Sequence, residues 1–355
     1  MDRISQFFAK HSIRNRDRAF FVHHLSLILK AGISLPKALI ILSKQMKNVY
    51  FKRVLINVEK KIQKGNTFEE ALLKYKGIFS KSMISMVRIG EMKGDLYAVL
   101  NGYYQLLNRQ DKIRSKVKSA MVYPIVVVVA LIVVSVFAVF FIFPQLIELV
   151  NEFQGELPLP TRISIAVSGF VSQYGLLMLI FLVIALFAAY IFSLSKPGRW
   201  VFHSLILRTP VVGNIVKHYN IAIMSRNFGT LLNSGIPVTD ALYTTATTLN
   251  NVYYKSSMLE AMETVQRGEH IHQALQNHPN IYPDLVLQII MVGEQSGSID
   301  EMMLEIAEFY EEQLLLTLDT LASVIEPIVI LVLGVGVAFL ALSILLPLYS
   351  LSVLI

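Results

Sequence analysis

The stretch Ala31-Gly32-Ile33-Ser34-Leu35-Pro36-Lys37-Ala38-Leu39 returns 203 positions later as Ser234-Gly235-Ile236-Pro237-Val238-Thr239-Asp240-Ala241-Leu242. The match does not stop there. Gly32 to Pro144 lies over Gly235 to Pro347 without a gap. Asn48-Val49-Tyr50 meets Asn251-Val252-Tyr253, Gln63 and Gly65 meet Gln266 and Gly268, and Ala71-Leu72 meets Ala274-Leu275. Gly90-Glu91-Met92-Lys93-Gly94 meets Gly293-Glu294-Gln295-Ser296-Gly297, Pro124-Ile125-Val126 meets Pro327-Ile328-Val329, and Pro144 meets Pro347. One register held through glycines, prolines and a long apolar run is an internal duplication. The repeat is long enough to be a domain rather than a solenoid unit.

The 355-residue chain is 54% hydrophobic and only 16% charged, with a mean hydropathy of +0.55. That exceeds the usual apolar share of soluble domains and points to a membrane protein. With no cysteine, the chain offers no disulfide framework and no thiolate metal site. Three runs are long and apolar enough to cross a bilayer: Ile125–Phe143, Leu176–Phe192 and Ile328–Leu346. Lys112, Arg114, Lys116 and Lys118 precede the first, whereas Glu148, Glu152 and Glu156 follow it. Lys196, Arg199 and Arg208 follow the second. Positive flanks stay in the cytoplasm, so the N-terminus and both repeats are expected there, with the C-terminus external.

The expected organisation is all-α throughout, with three transmembrane helices and two homologous cytoplasmic helical bundles. Residues 1–17 form a basic tail or an interfacial helix, two readings that Ile4, Phe7 and Phe8 beside Arg3 and Lys10 leave open. Residues 18–121 form repeat 1, 122–145 the first span, 146–173 an external loop and 174–194 the second span. Residues 195–324 form repeat 2, 325–348 the third span and 349–355 an external tail. Each repeat is predicted to be a bundle of about six short helices. Ser34 is placed to cap one helix, with Pro36 in its first turn, and Thr67 with Glu70 forms a capping box. Asp95 and its counterpart Ser298, the latter with Glu301, are placed to cap the last helix of each repeat. Pro124 and Pro327 are predicted kinks where that helix enters the bilayer, and Pro144 and Pro347 are predicted span ends. Glu326 is expected at the interface, because an ionised carboxylate at mid-bilayer is costly.

Charge separates the two repeats. Residues 1–121 hold 24 Lys+Arg against 8 Asp+Glu, a net +16, and residues 195–324 hold 7 against 13, a net −6. Two readings follow: attraction of the basic half to anionic headgroups, or docking against an acidic surface, either the sister domain or a partner. Nucleic acid is not expected, since the basic residues lack interleaved aromatics on a groove.

Catalytic constellations are missing. The sequence has no phosphate-cradling Gly-x-x-x-x-Gly-Lys-Ser/Thr loop, no His-Glu-x-x-His and no Gly-x-Ser-x-Gly elbow. His270, His272 and His278 lie close together, but no acidic or thiol partner at ligand spacing accompanies them, so they read as solvated helix-end histidines. No enzyme activity, cofactor or metal is therefore expected. The most distinctive local feature is the pair of Gly-Glu-x-x-Gly turns: Gly90, Glu91 and Gly94, and Gly293, Glu294 and Gly297. The second glycine is placed to stop a helix, and the glutamate to bond the free amides of the next helix start. The functional alternative is a polar contact used by a partner.

The 31–39 and 234–242 motifs, the two Gly-Glu-x-x-Gly turns, Tyr123-Pro124 and Glu326-Pro327, and three spans around a duplicated domain together resemble the type II secretion F-protein family. This family comprises inner-membrane platform proteins of type II secretion and type IV pilus machines. The resemblance covers the chain from about Arg18. Gly-Glu-Met-Lys-Gly departs from the family pattern, which has a small polar residue before the second glycine; Gly-Glu-Gln-Ser-Gly fits. The resemblance implies a homo-oligomer in the bacterial inner membrane. It also implies contacts with a hexameric cytoplasmic ATPase, pilin-like subunits, other inner-membrane assembly proteins and lipid. The reading from another class is a transporter or channel built from a parallel duplication.

Overall fold

In a computed structural model the described residues are 13, 15–137, 141 and 159–352. They contain fourteen α-helices and, among the described residues, no strand. Repeat 1 supplies α1 (Asn15–Lys30), α2 (Leu35–Gln45), α3 (Val49–Gln63), α4 (Phe68–Leu73), α5 (Lys81–Lys93) and α6 (Leu96–Phe137). Then come α7 (Leu159–Leu194) and α8 (Lys196–Arg208). Repeat 2 supplies α9 (Val212–Asn233), α10 (Val238–Thr248), α11 (Val252–Gln266), α12 (Ile271–Gln276), α13 (Asp284–Ser296) and α14 (Ile299–Ser352). The limits of α2 to α5 and the start of α6 recur in α10 to α14 at the same offset of 203. So do the left-handed glycines: Gly32, Gly65 and Gly94 pair with Gly235, Gly268 and Gly297. Their φ values, 71° to 90°, are ones a Cβ penalises.

The chain divides into two compact units. The first joins residues 1–115 with 203–314, so both repeats share it; the second joins 116–202 with 315–355. Within the first unit the repeated Ala-Leu pairs are inaccessible to solvent: Ala38, Leu39, Ala241 and Leu242 are all at 0% exposure. One aromatic pair recurs at the heart of each bundle. In repeat 1 it is Phe51 and Phe79, with centroids 6.0 Å apart. In repeat 2 it is Tyr254 and Tyr282, 5.4 Å apart. The added hydroxyls are satisfied: Tyr254 donates to Ile281 O (2.9 Å), and Tyr282 is bonded to Ser257 Oγ (2.6 Å). Burial pushes both phenols' pKa values up, so they stay neutral donors.

The local signals largely locate the helix ends. Gly32 stops α1, Thr67 and Glu70 form the capping box, and Asp95 Oδ1 accepts from Ala98 N at 2.9 Å. Ser34 occupies the N-cap of α2, but its side chain makes no capping bond. The Ser298 hydroxyl is paired with Ser296 at 2.7 Å.

The second unit holds the apolar ends of α6 and α14, which are long and apolar enough to cross a membrane. At 1.5 Å per residue their full lengths are about 63 Å and about 81 Å. Among the described residues the apolar segments are open to solvent: Val126 is 59% exposed and Leu331 66%. Such surface is costly in water and natural in lipid. Both helices run unbroken through Pro124 and Pro327. Pro347 does not end its helix, since α14 continues to Ser352. Within the predicted external loop, residues 159–173 are helical, because Pro160 sits in the first turn of α7, where its missing N–H has no partner to lose. The remainder of that loop, Pro144, the predicted N-terminal interfacial helix and residues 353–355 lie outside the described residues.

The two aromatic pairs make opposite predictions for the same hydroxyl. Phe79→Tyr adds a buried hydroxyl beside Phe51 and is expected to cost about 1–3 kcal/mol, whereas Tyr282→Phe removes the bond to Ser257 and the weaker one donated to Met224 Sδ and is expected to cost about 1 kcal/mol. Chemical denaturation of the full-length protein in detergent reads the order. Equal losses, or a larger loss for Tyr282→Phe, would refute it.

Candidate functional site

The Gly-Glu-x-x-Gly turns stand at the corner where each long helix begins. The three fixed residues do three different jobs. Gly94 and Gly297 take the left-handed conformation (φ 72° and 71°) that ends α5 and α13. Gly90 and Gly293 let the departing helix pack against the arriving one. A Cβ at Gly90 would lie 3.2 Å from Leu96 Cα, and one at Gly293 would lie 3.0 Å from Ile299 Cα. The glutamates reach back to an earlier helix. Glu91 accepts from the backbone amides of Phe68 (2.6 Å) and Glu69 (2.9 Å) at the start of α4. Glu294 accepts from Ile271 (2.6 Å) and His272 (3.1 Å) at the start of α12. A helix start exposes amide donors and a partial positive charge, so a carboxylate there gains both bonds and Coulomb energy. The expectation that these glutamates serve the next helix is thus corrected: they serve a helix more than twenty residues earlier in sequence. Both carboxylates are engaged in this way, and Met92 in the repeat 1 turn is 77% exposed.

The three histidines are also placed differently from the sequence reading. Folding brings Glu294 beside His270 and His272, with Nδ1 of His272 2.6 Å from Oε2. It brings Glu260 beside His278, 2.7 Å from Nε2. The acidic partners that local spacing lacks come from other helices. The Asn277 and His278 bonds hold the Glu260 carboxyl below its ordinary range.

The oppositely charged repeats meet in the first unit. Glu311 on α14 is 3% exposed and receives both Arg109 on α6 and Arg226 on α9, the latter at 3.0 Å. Beside it, Gln110 donates to Asn227 (2.6 Å), which donates to Thr248 (2.6 Å). Further out, Arg88 pairs with Asp240 at 2.8 Å, and Lys93 donates to the Ser234 carbonyl at 3.2 Å. Lys81 donates to the Tyr243 hydroxyl at 2.8 Å and lies 4.7 Å from its ring centroid. A cleft of about 580 Å³ opens along this seam, lined among others by Lys93, Arg109, Arg226 and Glu308. Of the two readings of the charge asymmetry, the structure displays docking between the sister repeats. Sequence counting alone did not single out Glu311. It is one acid among thirteen in residues 195–324, and only its burial distinguishes it.

A duplicated all-α chain, each copy ending in a helix long and apolar enough to cross a membrane, defines a class of membrane protein. The family described as "Type II secretion system (T2SS), protein F" matches residues 21–144 and 224–347, two segments again offset by 203, and the chain belongs to that family. Among its relatives is a type IV pilus assembly protein, PilC, of Thermus thermophilus. It is 35% identical over 336 residues, covering 94% of this chain and 82% of the relative. The PilC of Myxococcus xanthus is 30% identical, covering 96% and 81%. Type II secretion system protein F of Vibrio cholerae is 26% identical, covering 98% and 86%.

Two predictions separate the strong contacts from the weak. Glu91→Ala strands two amides at a part-buried helix start and is expected to lower stability by about 2–3 kcal/mol, while Met92→Ala is expected to change it by under about 0.5 kcal/mol. Thermal or urea unfolding in detergent checks both. At the seam, Glu311→Ala leaves Arg226 uncompensated and is expected to cost about 3–5 kcal/mol, whereas Asp240→Ala, at a pair that is 40% and 49% exposed, is expected to cost under about 1 kcal/mol. A loss at Glu311 no larger than at Asp240 would mean that the seam does not hold the repeats together.

Proposed function

We propose that the chain is the inner-membrane platform of a type IV pilus or type II secretion machine. In this reading it couples a cytoplasmic assembly ATPase to the insertion of pilin-like subunits into a filament. The family and the relatives' names support the machine. The observation that carries the coupling role is the pair of continuous helices, Leu96–Phe137 and Ile299–Ser352. Each begins inside a folded bundle and ends as an apolar segment. Helix α7 acts as the return span, since Leu176–Phe192 carries no charged residue, and two repeats running the same way require an odd crossing between them. The N-terminus and both bundles face the cytoplasm and the C-terminus faces outward, following the positive flanks. The platform self-associates beneath a symmetric ring. It hydrolyses no nucleotide itself; the ATPase moves the bundles as rigid bodies, and the long helices carry that motion to the spans.

The experiment is crosslinking in native membranes followed by recovery of the tagged chain. The expected result is co-recovery of a hexameric ATPase and pilin-like subunits, with crosslinks to the ATPase from residues 1–121 or 195–324. Lys60, Lys64 and Lys74 are exposed on the basic repeat. Reversing their charge together is expected to reduce ATPase recovery and filament number without moving the melting temperature, and the association is expected to weaken with salt. Recovery of the chain alone, together with solute flux in reconstituted vesicles, would support the transporter reading instead.

A further inference from the structure

The two repeats treat the same carboxylate differently. In repeat 1, Glu91 receives the α4 amides beside Thr67 and Glu69. Thr67 is an ordinary N-cap: its hydroxyl accepts from Glu70 N at 3.1 Å, and Glu70 answers as a capping box. The equivalent positions in repeat 2 are His270 and His272, and Glu70 is replaced by Gln273. His270 occupies the N-cap of α12 and makes no side-chain capping bond. A good cap has thus been replaced by a poor one, and capping does not explain the exchange.

Geometry supplies an explanation. His270 and His272 stack with ring centroids 5.3 Å apart, and their Nδ1 atoms face opposite oxygens of Glu294, at 3.7 Å and 2.6 Å. One ligand atom from each of the three residues lies within 4.8 Å of the others. Glu294 and His272 have side chains only 11% and 20% exposed, so two of the three are held in place, while His270, at 58%, leaves a path from solvent. Two imidazoles and a carboxylate with one side open are the donor set of a three-ligand zinc site, with water or an incoming group as fourth ligand. The carboxylate would then hold α12 through its amides and the ion at the same time.

We propose that His270, His272 and Glu294 bind a Zn(II)-class divalent ion. The ion staples the start of α12 to the end of α13, next to the Gly293–Gly297 turn from which α14 departs. Repeat 1 has no such site, because Thr67 and Glu69 replace the imidazoles.

The test uses full-length protein in detergent, carrying no polyhistidine tag. Zn(II) is titrated by calorimetry, and Co(II) is followed by its visible absorption. The wild type is expected to bind one equivalent at this site, to show the intense bands of a four-coordinate Co(II), and to melt higher with Zn(II). H270T/H272A returns the N-cap to the threonine that repeat 1 already folds with, and leaves Glu294 on its two amides. It gives up the His272–Glu294 bond and is expected to shift the metal-free melting temperature by a few degrees at most, while losing both the Co(II) bands and the rise in melting temperature with Zn(II). Its Zn(II) affinity is expected to fall by at least about 100-fold, the upper end of what a change merely behind a ligand produces. H278A, at the separate Glu260 pair, is expected to change none of this. Equal Zn(II) affinity in the wild type and H270T/H272A would overturn the proposal, as would loss of binding in H278A alone.

Discussion

A carboxylate closing on the amides of a distant helix start is the contact on which each bundle turns. Glu91 and Glu294 each tie the end of one helix to the beginning of another more than twenty residues away. The glycines on either side make that tie geometrically available. One removes the Cβ that would hold the long helix off, and the other reverses the chain into it. Remove the carboxylate, and a six-residue helix is too short to hold itself, the more so in repeat 2, where its N-cap His270 makes no side-chain capping bond. The corner at which α6 or α14 begins then loses its anchor. A motif that reads as a possible partner contact is thus first a joint.

The seam between repeats follows a different logic. Two guanidinium groups share one nearly inaccessible carboxylate, and neutral amides continue the network inward through Asn227. Charges desolvated this far contribute little net stability, but mismatching them is costly. The seam therefore specifies how the two halves meet more than how strongly. The outer pairs, at Arg88 and Lys81, add orientation at little cost or gain.

The duplication was readable in the sequence because it is gapless, and gaplessness carries helix limits with it: a stop at Gly32 predicts one at Gly235. Local chemistry was readable too, as at Thr67 with Glu70 and at Asp95. Misreadings occurred where the partner is remote. Nothing near Glu91 says that its amides belong to Phe68 and Glu69, and nothing near His270 announces Glu294. Ser34 stands where a cap should be and makes no capping bond, so position alone did not decide its role. Proline misled in the other direction. Pro347 looks like a terminator, yet α14 passes through it, and Pro160 looks like part of a loop, yet it lies in the first turn of a helix.

The constant offset has a mechanical corollary. Pro124 lies 28 residues beyond Leu96, and Pro327 lies 28 beyond Ile299. That is about 42 Å of shaft in each case, and the same number of turns. Each proline therefore follows its corner by the same number of helical residues. The duplication thus kept the helical run between corner and proline equal in length and phase in both copies. A length change in one shaft alone would put the pair out of step by about 100° for every residue gained or lost.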